Sequence, residues 1–354
     1  MTKGVTKADI ARAAGVTRSA VSMVLNGRPN NLAAATAERI RQTARRMGYE
    51  ESPRLSVRSV ALIAQGEQFF DPVDDFFQGV ARSLWAGLSD RDYNVVTGFL
   101  EGREHGEIRL PRVLRDGGVD GFAVIVADTL GYRAVETCVA RLGARAVFAA
   151  WRHDDAGRFG WVASDDPGGS RSAAEEVARL GHTRVAVISA VGTGNPAARE
   201  RLAGCVAALA ERGVSVPERW TADAGWTHGD GRAAMSRILD APGPPPTAVL
   251  CANDWQALGA MDEARARGLD VPADISVVGF DGCDAALRDS APSIATVEHD
   301  LDSMGRATAR ALLDWIEGRV DAPPTVRIPA RFRPGGSLAA PRGGGEWRGD
   351  HERA

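Results

Sequence analysis

The chain has 354 residues, of which 44% are hydrophobic and 25% are charged, a composition typical of an ordinary globular protein with two or three domains. No apolar run approaches the roughly 18 residues that a membrane span requires. The N-terminal residues lack an apolar core and a cleavage motif, so we expect a cytoplasmic protein rather than a membrane or secreted one. The four cysteines lie far apart and form no CxxC pair, which predicts small buried residues rather than a disulfide framework or a zinc site.

Charge is distributed unevenly along the chain. Residues 1–58 contain 11 Lys or Arg and 4 Asp or Glu, a net of +7, whereas the whole chain carries −3, so the other residues carry −10. Heavy Arg usage from genomic base composition would raise Arg everywhere and would not polarise the chain. A basic N-terminal segment on an acidic body indicates a polyanion-binding module joined to a different kind of domain.

Three short helices are predicted within the first 50 residues. The first begins at a capping-box pattern formed by Thr6 and Asp9, and it ends at Gly15 because glycine adopts a left-handed turn at low cost. Thr17 is placed to cap the second helix, and the third runs over about 33–47. Two short helices joined by a glycine turn favour a helix-turn-helix whose second helix enters the major groove. The spacing alone also fits a generic small helical bundle.

From residue 59 onward, apolar strands alternate with amphipathic helices. The strand candidates are 60–64, 93–96, 122–126, 146–150, 184–188, 247–252 and 275–280. The helical stretches between them include 75–91, 168–181, 197–213 and 253–268. Apolar strands separated by helices predict parallel sheets covered on both faces, and this length favours two doubly wound sheets. The tail, 334–354, is rich in Gly, Arg and Pro and is predicted to be disordered. It has no leucine heptads, so no tetramerising coiled coil is expected.

Enzymatic motifs find little support in the sequence. The stretch GTGNPA (192–197) superficially fits a GxGxxA dinucleotide loop, but no acidic residue stands where the ribose contact is expected. There is no P-loop, no GxSxG and no HExxH motif, and the six histidines show no metal spacing. We therefore expect no catalysis, no metal and no cofactor.

Several long motifs carry a resemblance to a known family. VTKADIARAAGVTRSAVSMVLNGR (5–28) and TAERIRQTARRMGY (36–49) closely resemble the headpiece of the LacI/GalR-type (lactose-repressor) family of bacterial transcriptional regulators. The segments that resemble the ligand-binding core of that family are 180–189, 201–209, 246–261, 268–282 and 291–318. The resemblance implies an all-α helix-turn-helix headpiece followed by an α/β periplasmic-binding-protein-like core with two doubly wound parallel-sheet lobes.

The resemblance also implies domain boundaries. The headpiece covers 1–50, a short hinge or linker covers 51–58, and the effector-binding and dimerisation core covers 59–333. Within the core, the N-lobe comprises about 59–164 and 296–322, and the C-lobe comprises about 165–295 and 323–333.

In the headpiece, the resemblance places Arg18, Ser19 and Met23 at base-facing positions. Arg18 can grip guanine with two donors, a contact worth roughly 1–3 kcal/mol of discrimination, whereas Ser19 discriminates poorly. Met23 either packs on thymine methyl groups or fills a gap facing the headpiece core. Phosphate contacts, which position the headpiece without specifying sequence, are assigned to Thr17, Ser22, Asn26 and Arg28.

The linker between headpiece and core is shorter than the hinge helix of family members. Leu55 corresponds to the leucine that family members wedge into the minor groove, or it is a plain linker residue. Whether this segment bends DNA is left open by the sequence.

Candidate effector contacts lie where parallel strands end, at the cleft between two sheets. Asn253 and Asp281 follow strand candidates directly, and the resemblance adds Arg201 as a hydroxyl or carboxylate clamp. By the resemblance, Trp226 lies where family members place an aromatic residue that stacks on a sugar or base ring; the alternative is that it packs on the surface or in the core. Phe70 is expected on the opposite wall. Arg152 follows Trp151, which stands near a position where family members commonly carry Asp.

Together these features predict a sequence-specific DNA-binding regulator, a repressor by resemblance. A homodimer would bind double-stranded DNA at a near-palindromic operator, and a sugar-like or related small-molecule effector would shift lobe closure. Two other classes of protein share part of this pattern. A solute-binding protein of a transport system would share the core but lack the basic head, and an architectural DNA binder would lack effector control.

Overall fold

The computed structural model describes residues 5–25, 32–49, 58–69, 75–102, 108–126, 129–150 and 157–342. The chain divides into two compact units, Met1–Val57 and Arg58–Ala354. Within the described ranges, no helix combines the length and the apolar character that crossing a membrane demands.

The N-terminal unit contains three short helices. They are α1 (Lys7–Ala14), α2 (Arg18–Leu25) and α3 (Ala34–Arg46). Thr6 caps α1 in a capping box with Asp9, and Gly15 ends the helix in the left-handed conformation at φ 65°. Thr17 Oγ1 accepts a hydrogen bond of 3.2 Å from the Ala20 N–H at the start of α2. The predicted capping residues are thus confirmed, and the small core they frame includes Ile10, Val21 and Ile40, each fully buried.

In the second unit, strands alternate with helices as predicted. The strands are β1 (Ser59–Gln65), β2 (Asn94–Gly102), β3 (Ile108–Arg109), β4 (Gly121–Ile125), β5 (Arg145–Ala150), β6 (Gly160–Ser164), β7 (Val185–Ser189), β8 (Thr221–Asp223), β9 (Ala248–Cys251), β10 (Ser276–Val278), β11 (Thr296–Glu298), β12 (Thr325–Ile328) and β13 (Arg331–Arg333). The helices are α4 (Gly66–Phe69), α5 (Asp75–Ser89), α6 (Arg112–Asp116), α7 (Thr129–Leu142), α8 (Asp166–Arg179), α9 (Pro196–Glu211), α10 (His228–Leu239), α11 (Asp254–Ala266), α12 (Asp284–Asp289) and α13 (Leu301–Ile316).

Two sheets define two lobes. The first has the strand order β12-β6-β5-β4-β1-β2-β3 and is parallel except between β2 and β3, and the second, β10-β9-β7-β8, is parallel throughout. A separate antiparallel pair joins β11 to β13. The predicted architecture of two doubly wound sheets is confirmed.

Both sheets are covered on both faces. Successive residues of β1 enter different apolar clusters, since Val60 packs with α5 and α13 whereas Ala61 packs with α7. In β7, Ala186 likewise faces α10 and α11, and Val187 faces α8 and α9. Burial on both sides is the reason these strands have near-continuous apolar sequences.

Two lobe boundaries predicted from the sequence are wrong. β12 pairs with β6 in the first sheet, although 323–333 was assigned to the second lobe. Thr296–Glu298 lies beside the second sheet, through bridges from Val278 to Ala295 and from Asp281 to Glu298, although 296–322 was assigned to the first. Short strands such as β11 and β12 do not show in their sequence which sheet they join, and the crossings occur after Ser164, Glu298 and Ile328.

The predicted disorder of the tail is also wrong for residues 334–342. Ser337 is fully buried; its Oγ–H donates to the Val277 carbonyl at 2.5 Å and its Oγ accepts from the Ala295 N–H at 2.9 Å. The carbonyl of Ala339 lies 2.8 Å from Nε2 of His182. Hydrogen bonds to buried polar groups hold this segment without the apolar periodicity that a sequence analysis looks for. Residues 343–354 lie outside the described part.

Candidate functional site

Polar side chains meet where the strands of the two lobes end, as predicted. Ser164 ends β6 of the first lobe, Asp281 follows β10 of the second, and His299 follows β11. Arg201 reaches the same place from α9, and Asp166 reaches it from the first turn of α8. These five residues are called the crossing cluster below, since they lie at or beside the chain crossings between the lobes.

Arg201 is the centre of the crossing cluster. Its side chain is 7% exposed; Nη1 donates to the Ala252 carbonyl at 2.6 Å and lies 2.8 Å from Oδ1 of Asp281. The guanidinium carbon lies 3.9 Å from the centroid of the Phe280 ring and 5.8 Å from that of Trp226. Burial lowers the pKa of Arg201, but Asp281 and Asp166 outweigh it and raise the pKa above its usual value.

His299 connects the two lobes through its side chain, of which 1% is exposed. Its Nδ1 lies 2.7 Å from Oγ of Ser164 in the first lobe. Its Nε2 lies 3.1 Å from Oδ1 of Asp281 and 3.1 Å from Nη2 of Arg201 in the second. The imidazole packs between the rings of Phe76 and Phe280, at centroid distances of 5.1 and 5.2 Å.

Asp281 and Asp166 carry the negative charge of the crossing cluster. Asp281 has φ 102°, a conformation that non-glycine residues rarely adopt, and 22% of its side chain is exposed. Burial raises the pKa of Asp281, but Arg201 and His299 more than offset this, so its pKa lies below the usual value. Burial raises the pKa of Asp166. Asp166 Oδ1 lies 3.4 Å from Arg201 Nε, and within the described residues neither buried atom has a hydrogen bond.

Asn253, predicted as an effector contact, is 5% exposed and uses its amide within the protein. Its Oδ1 accepts from the Gln256 N–H at 2.8 Å and caps α11, and its Nδ2–H donates to the Trp226 carbonyl at 2.9 Å. Asn253 therefore fixes the loop that carries Trp226, which is half-buried. A direct contact between Asn253 and an effector remains a prediction.

The neighbouring Asp254 is fully buried. Its Oδ2 accepts from the Cys283 N–H at 2.7 Å, and its Oδ1 accepts from the Thr296 hydroxyl at 2.5 Å. Burial, with a further contribution from Asp281, raises the pKa of Asp254 to about 8. Asp254 thus ties α11 to β11 and to the loop after β10.

The glycine-rich stretch GTGNPA holds a carboxylate rather than a phosphate. The N–H of Gly192, which a dinucleotide loop would offer to a pyrophosphate, donates to Oδ2 of Asp223 at 2.9 Å. Asn195 caps α9 by accepting from the Ala197 N–H. In the described part of the chain, no group of three His, Cys, Asp or Glu residues is arranged to hold a metal ion.

On the headpiece, α2 has one exposed and one buried side. Thr17 and Arg18 are exposed at its N-terminal end, Val21 and Val24 are buried, and Met23 is half-buried. Whether Met23 faces DNA bases or fills a gap in the headpiece core stays a prediction.

Several predicted site residues cannot be placed. Ser19 and Ser22 lie on α2, but the structure does not describe their side chains. Lying outside the described residues are Asn26, Arg28, Leu55, Phe70 and Arg152.

Four residues in or beside the crossing cluster are not singled out by the sequence. Three belong to the cluster, His299, Ser164 and Asp166, and the fourth is Phe280, whose ring packs against Arg201 and His299. The strand candidate 275–280 ends at Phe280, so this residue could have been found by the rule that located Asp281. His299 and Ser164 end or follow short strands that the sequence did not predict.

The chain is similar to bacterial transcription regulators over nearly its whole length. Residues 6–52 match the family described as bacterial regulatory proteins, lacI family, and residues 174–338 match a periplasmic binding protein-like domain. The HTH-type transcriptional regulator reg1 of Streptomyces lividans is 32% identical over 88% of this chain and 90% of its own. The HTH-type transcriptional repressor CytR of Escherichia coli K12 is 28% identical over 89% of this chain and 90% of its own. The solved complex of transcriptional regulator CelR with cellobiose is 27% identical and has a TM-score of 0.70; the match covers 94% of this chain and 100% of the CelR chain.

Proposed function

Because the chain belongs to the lacI family of bacterial regulatory proteins and is a transcriptional regulator with a helix-turn-helix DNA-binding domain and an effector-binding domain, we propose that it is a repressor. It binds a near-palindromic operator as a homodimer, and a small polyhydroxylated effector in the cleft between the lobes controls its affinity for DNA. The similarity to CytR, named a repressor, and to CelR, solved with cellobiose, supports this proposal.

The observation that carries the proposal is the crossing cluster at the carboxyl ends of both sheets. Asp281 can accept a hydrogen bond from a ligand hydroxyl, and Arg201 can donate to a ligand oxygen. The half-buried Trp226, 5.8 Å from the Arg201 guanidinium, offers an apolar face to the ring of a sugar-like ligand. Asn253, Phe70 and Arg152 complete the proposed binding site.

In the headpiece, we assign the exposed Arg18, with Ser19 and Met23, to the base edges in the major groove. Thr17, Ser22, Asn26 and Arg28 contact phosphates, and Leu55 is the candidate for a minor-groove contact. Two headpieces related by a twofold axis require matched half-sites, which is why the operator is expected to be near-palindromic.

Regulation follows from the position of the cluster. A ligand that bonds differently to Arg201 and Asp281 in two lobe arrangements shifts the balance between them, and the coupling is limited to that difference in affinity. The arrangement of the lobes would in turn set the spacing of the headpieces in the dimer.

The decisive experiment is a DNA-binding titration at fixed salt, because phosphate contacts make affinity depend strongly on salt. The probe is the DNA upstream of the gene and its neighbours, with and without cellobiose and other sugars as candidate ligands. Binding to a palindrome there, changed by a ligand, is the expected result. No sequence-specific binding at moderate salt would refute the proposal, and specific binding that no ligand alters would favour an architectural DNA binder.

Variants of two arginines separate base contacts from phosphate contacts. Arg18→Ala should relax preference at one operator position by roughly 1–3 kcal/mol, whereas Arg28→Ala should weaken binding to all sequences alike and reduce the salt dependence. Competition between operator and scrambled DNA measures both effects. Equal losses from the two variants would show that the base-facing positions are misassigned.

A further inference from the structure

His299 Nε2 lies between a hydrogen-bond donor and a hydrogen-bond acceptor. Nη2 of Arg201 can only donate and Oδ1 of Asp281, as a carboxylate, can only accept, yet both lie 3.1 Å from the same ring nitrogen. A neutral imidazole carries one N–H and one lone pair, so Nε2 can satisfy only one of these partners at a time.

The other ring nitrogen must take the complementary role. If Nε2 accepts from Arg201, then Nδ1 carries the hydrogen and donates to Oγ of Ser164, 2.7 Å away. If Nε2–H donates to Asp281, then Nδ1 accepts from the Ser164 hydroxyl. Serine allows both arrangements because its hydroxyl both donates and accepts.

We propose that His299 is a positioning residue that exchanges between these two tautomers, and that an effector selects one of them by bonding to Asp281 or to Arg201. Ser164, at the crossing out of the first lobe, accepts a hydrogen bond from Nδ1–H in one tautomer and donates one to Nδ1 in the other. The selection by an effector rests on the proposed function, whereas the pair of tautomers rests on the geometry alone.

The surroundings of His299 offer its ring nitrogens few other hydrogen-bond partners. Its side chain is 1% exposed and packs between Phe76 and Phe280, so water has little access to replace a missing partner. The charged groups that face it are Arg201, Asp281 and the buried Asp166.

The tautomer of His299 depends on which member of the Arg201–Asp281 ion pair a ligand engages. A ligand hydroxyl that donates to Asp281 Oδ1 competes with Nε2–H for that oxygen, which favours the tautomer in which Nε2 accepts from Arg201 and Nδ1–H donates to Ser164. A ligand oxygen that accepts from Arg201 Nη2 competes with His299 for that donor, which favours the tautomer in which Nε2–H donates to Asp281 and the Ser164 hydroxyl donates to Nδ1. Two ligands of similar size can therefore act on the first lobe in opposite directions, according to which member of the ion pair they engage.

The test uses the full chain, labelled with 15N-histidine, without DNA or ligand. Long-range proton–nitrogen spectra distinguish the Nδ1–H tautomer, the Nε2–H tautomer and the imidazolium, and His299→Gln identifies the signals of His299. In the unmodified chain at pH 7.5, we expect ring-nitrogen shifts intermediate between the two tautomers. Asp281→Ala should move them to the Nδ1–H pattern, and Arg201→Met should move them to the Nε2–H pattern.

His182 provides an internal control in the same spectra. Its Nε2 lies 2.8 Å from the Ala339 carbonyl, which only accepts, and its Nδ1 lies 3.0 Å from the Thr247 hydroxyl. Burial lowers the pKa of His182, so its ring should stay neutral with the hydrogen on Nε2 in every variant.

An imidazolium pattern for His299, or the same tautomer in both variants, would overturn the proposal. If Arg201→Met does not fold, the comparison with Asp281→Ala decides: a single tautomer in the unmodified chain that this variant leaves unchanged would also overturn it. Since neither DNA nor effector is present, this result is independent of the operator titration. Failure of effector control and failure of the tautomer exchange are thus separate outcomes.

Discussion

Asp254 is a buried carboxyl group whose ionisation should govern the pH dependence of stability. Its pKa is raised from 3.8 to about 8, first by burial and then by Asp281. In the neutral form, the acid hydrogen can donate to Thr296 Oγ1 across the same 2.5 Å, and Cys283 N–H still donates to Oδ2. Asp254→Asn reproduces this neutral arrangement, since the amide supplies one donor and one acceptor in the same shape.

The sign of the effect follows from the two pKa values. Between about pH 4 and pH 8, Asp254 is protonated in the folded chain and ionised in the unfolded chain, so unfolding releases a proton. Each unit of pH in this range therefore lowers the free energy of unfolding by about 1.4 kcal/mol, and the decline stops above the folded pKa. From pH 5 to pH 8, Asp254 should cost the folded state about 4 kcal/mol, a loss that Asp254→Asn does not suffer.

Urea unfolding of both chains, followed by tryptophan fluorescence between pH 5 and pH 9, measures this difference. The free energy of unfolding of Asp254→Asn, relative to that of the unmodified chain, should rise steadily up to about pH 8 and then stay constant. Asp321→Asn, at an exposed carboxylate, is the matched control and should show no such trend. If the difference in free energy of unfolding between Asp254→Asn and the unmodified chain is the same at pH 5 and pH 8, the reasoning is refuted.

Two further substitutions test the C-terminal segment and the headpiece. Ser337→Ala removes the donor to Val277 and the acceptor for Ala295, so it should lower the free energy of unfolding by roughly 2–4 kcal/mol. Thr137→Ala, at an exposed position, is the control and should cost far less. Equal urea midpoints for the two variants would contradict the packing of this segment. Met23→Ala should weaken the preference for thymine at one operator position because an apolar contact with its methyl group is lost. An operator preference unchanged by Met23→Ala, measured by competition between operator variants, would show that Met23 is a filler.

The sequence was informative where one local rule decides the structure. Thr6, Gly15 and Thr17 could be assigned as capping residues because each acts on backbone groups within a few positions. The apolar strands of both sheets could be found because burial on two faces leaves a continuous apolar run. β12 could not be assigned to a sheet, because only one of its four residues is buried and they pair with β6, more than 150 residues earlier.

The candidate site was harder to predict, since its residues are defined by partners far away in the chain. Asp281 and Arg201 are both predicted as effector contacts and lie 2.8 Å apart, yet their link to the first lobe runs through His299 and Ser164, which are 135 positions apart. Asn253 stands at the predicted edge of the sheet, but its amide hydrogen-bonds within the protein. A rule about strand ends locates such polar residues and does not say which of them are already occupied.

Around Asp281, the backbone is held in place while the side chains can exchange hydrogen-bond partners. The backbone of Asp281 is fixed, because its N–H donates to the Val297 carbonyl at 2.8 Å and its carbonyl accepts from the His299 N–H at 3.3 Å. A ligand that bonds to the Asp281 carboxylate therefore meets a rigid frame, and the change is most easily absorbed by exchange of side-chain partners at Arg201 and His299. Since His299 bonds to Ser164 as well, that exchange reaches the first lobe directly. The size of the response is limited to the difference in free energy between the two hydrogen-bond arrangements.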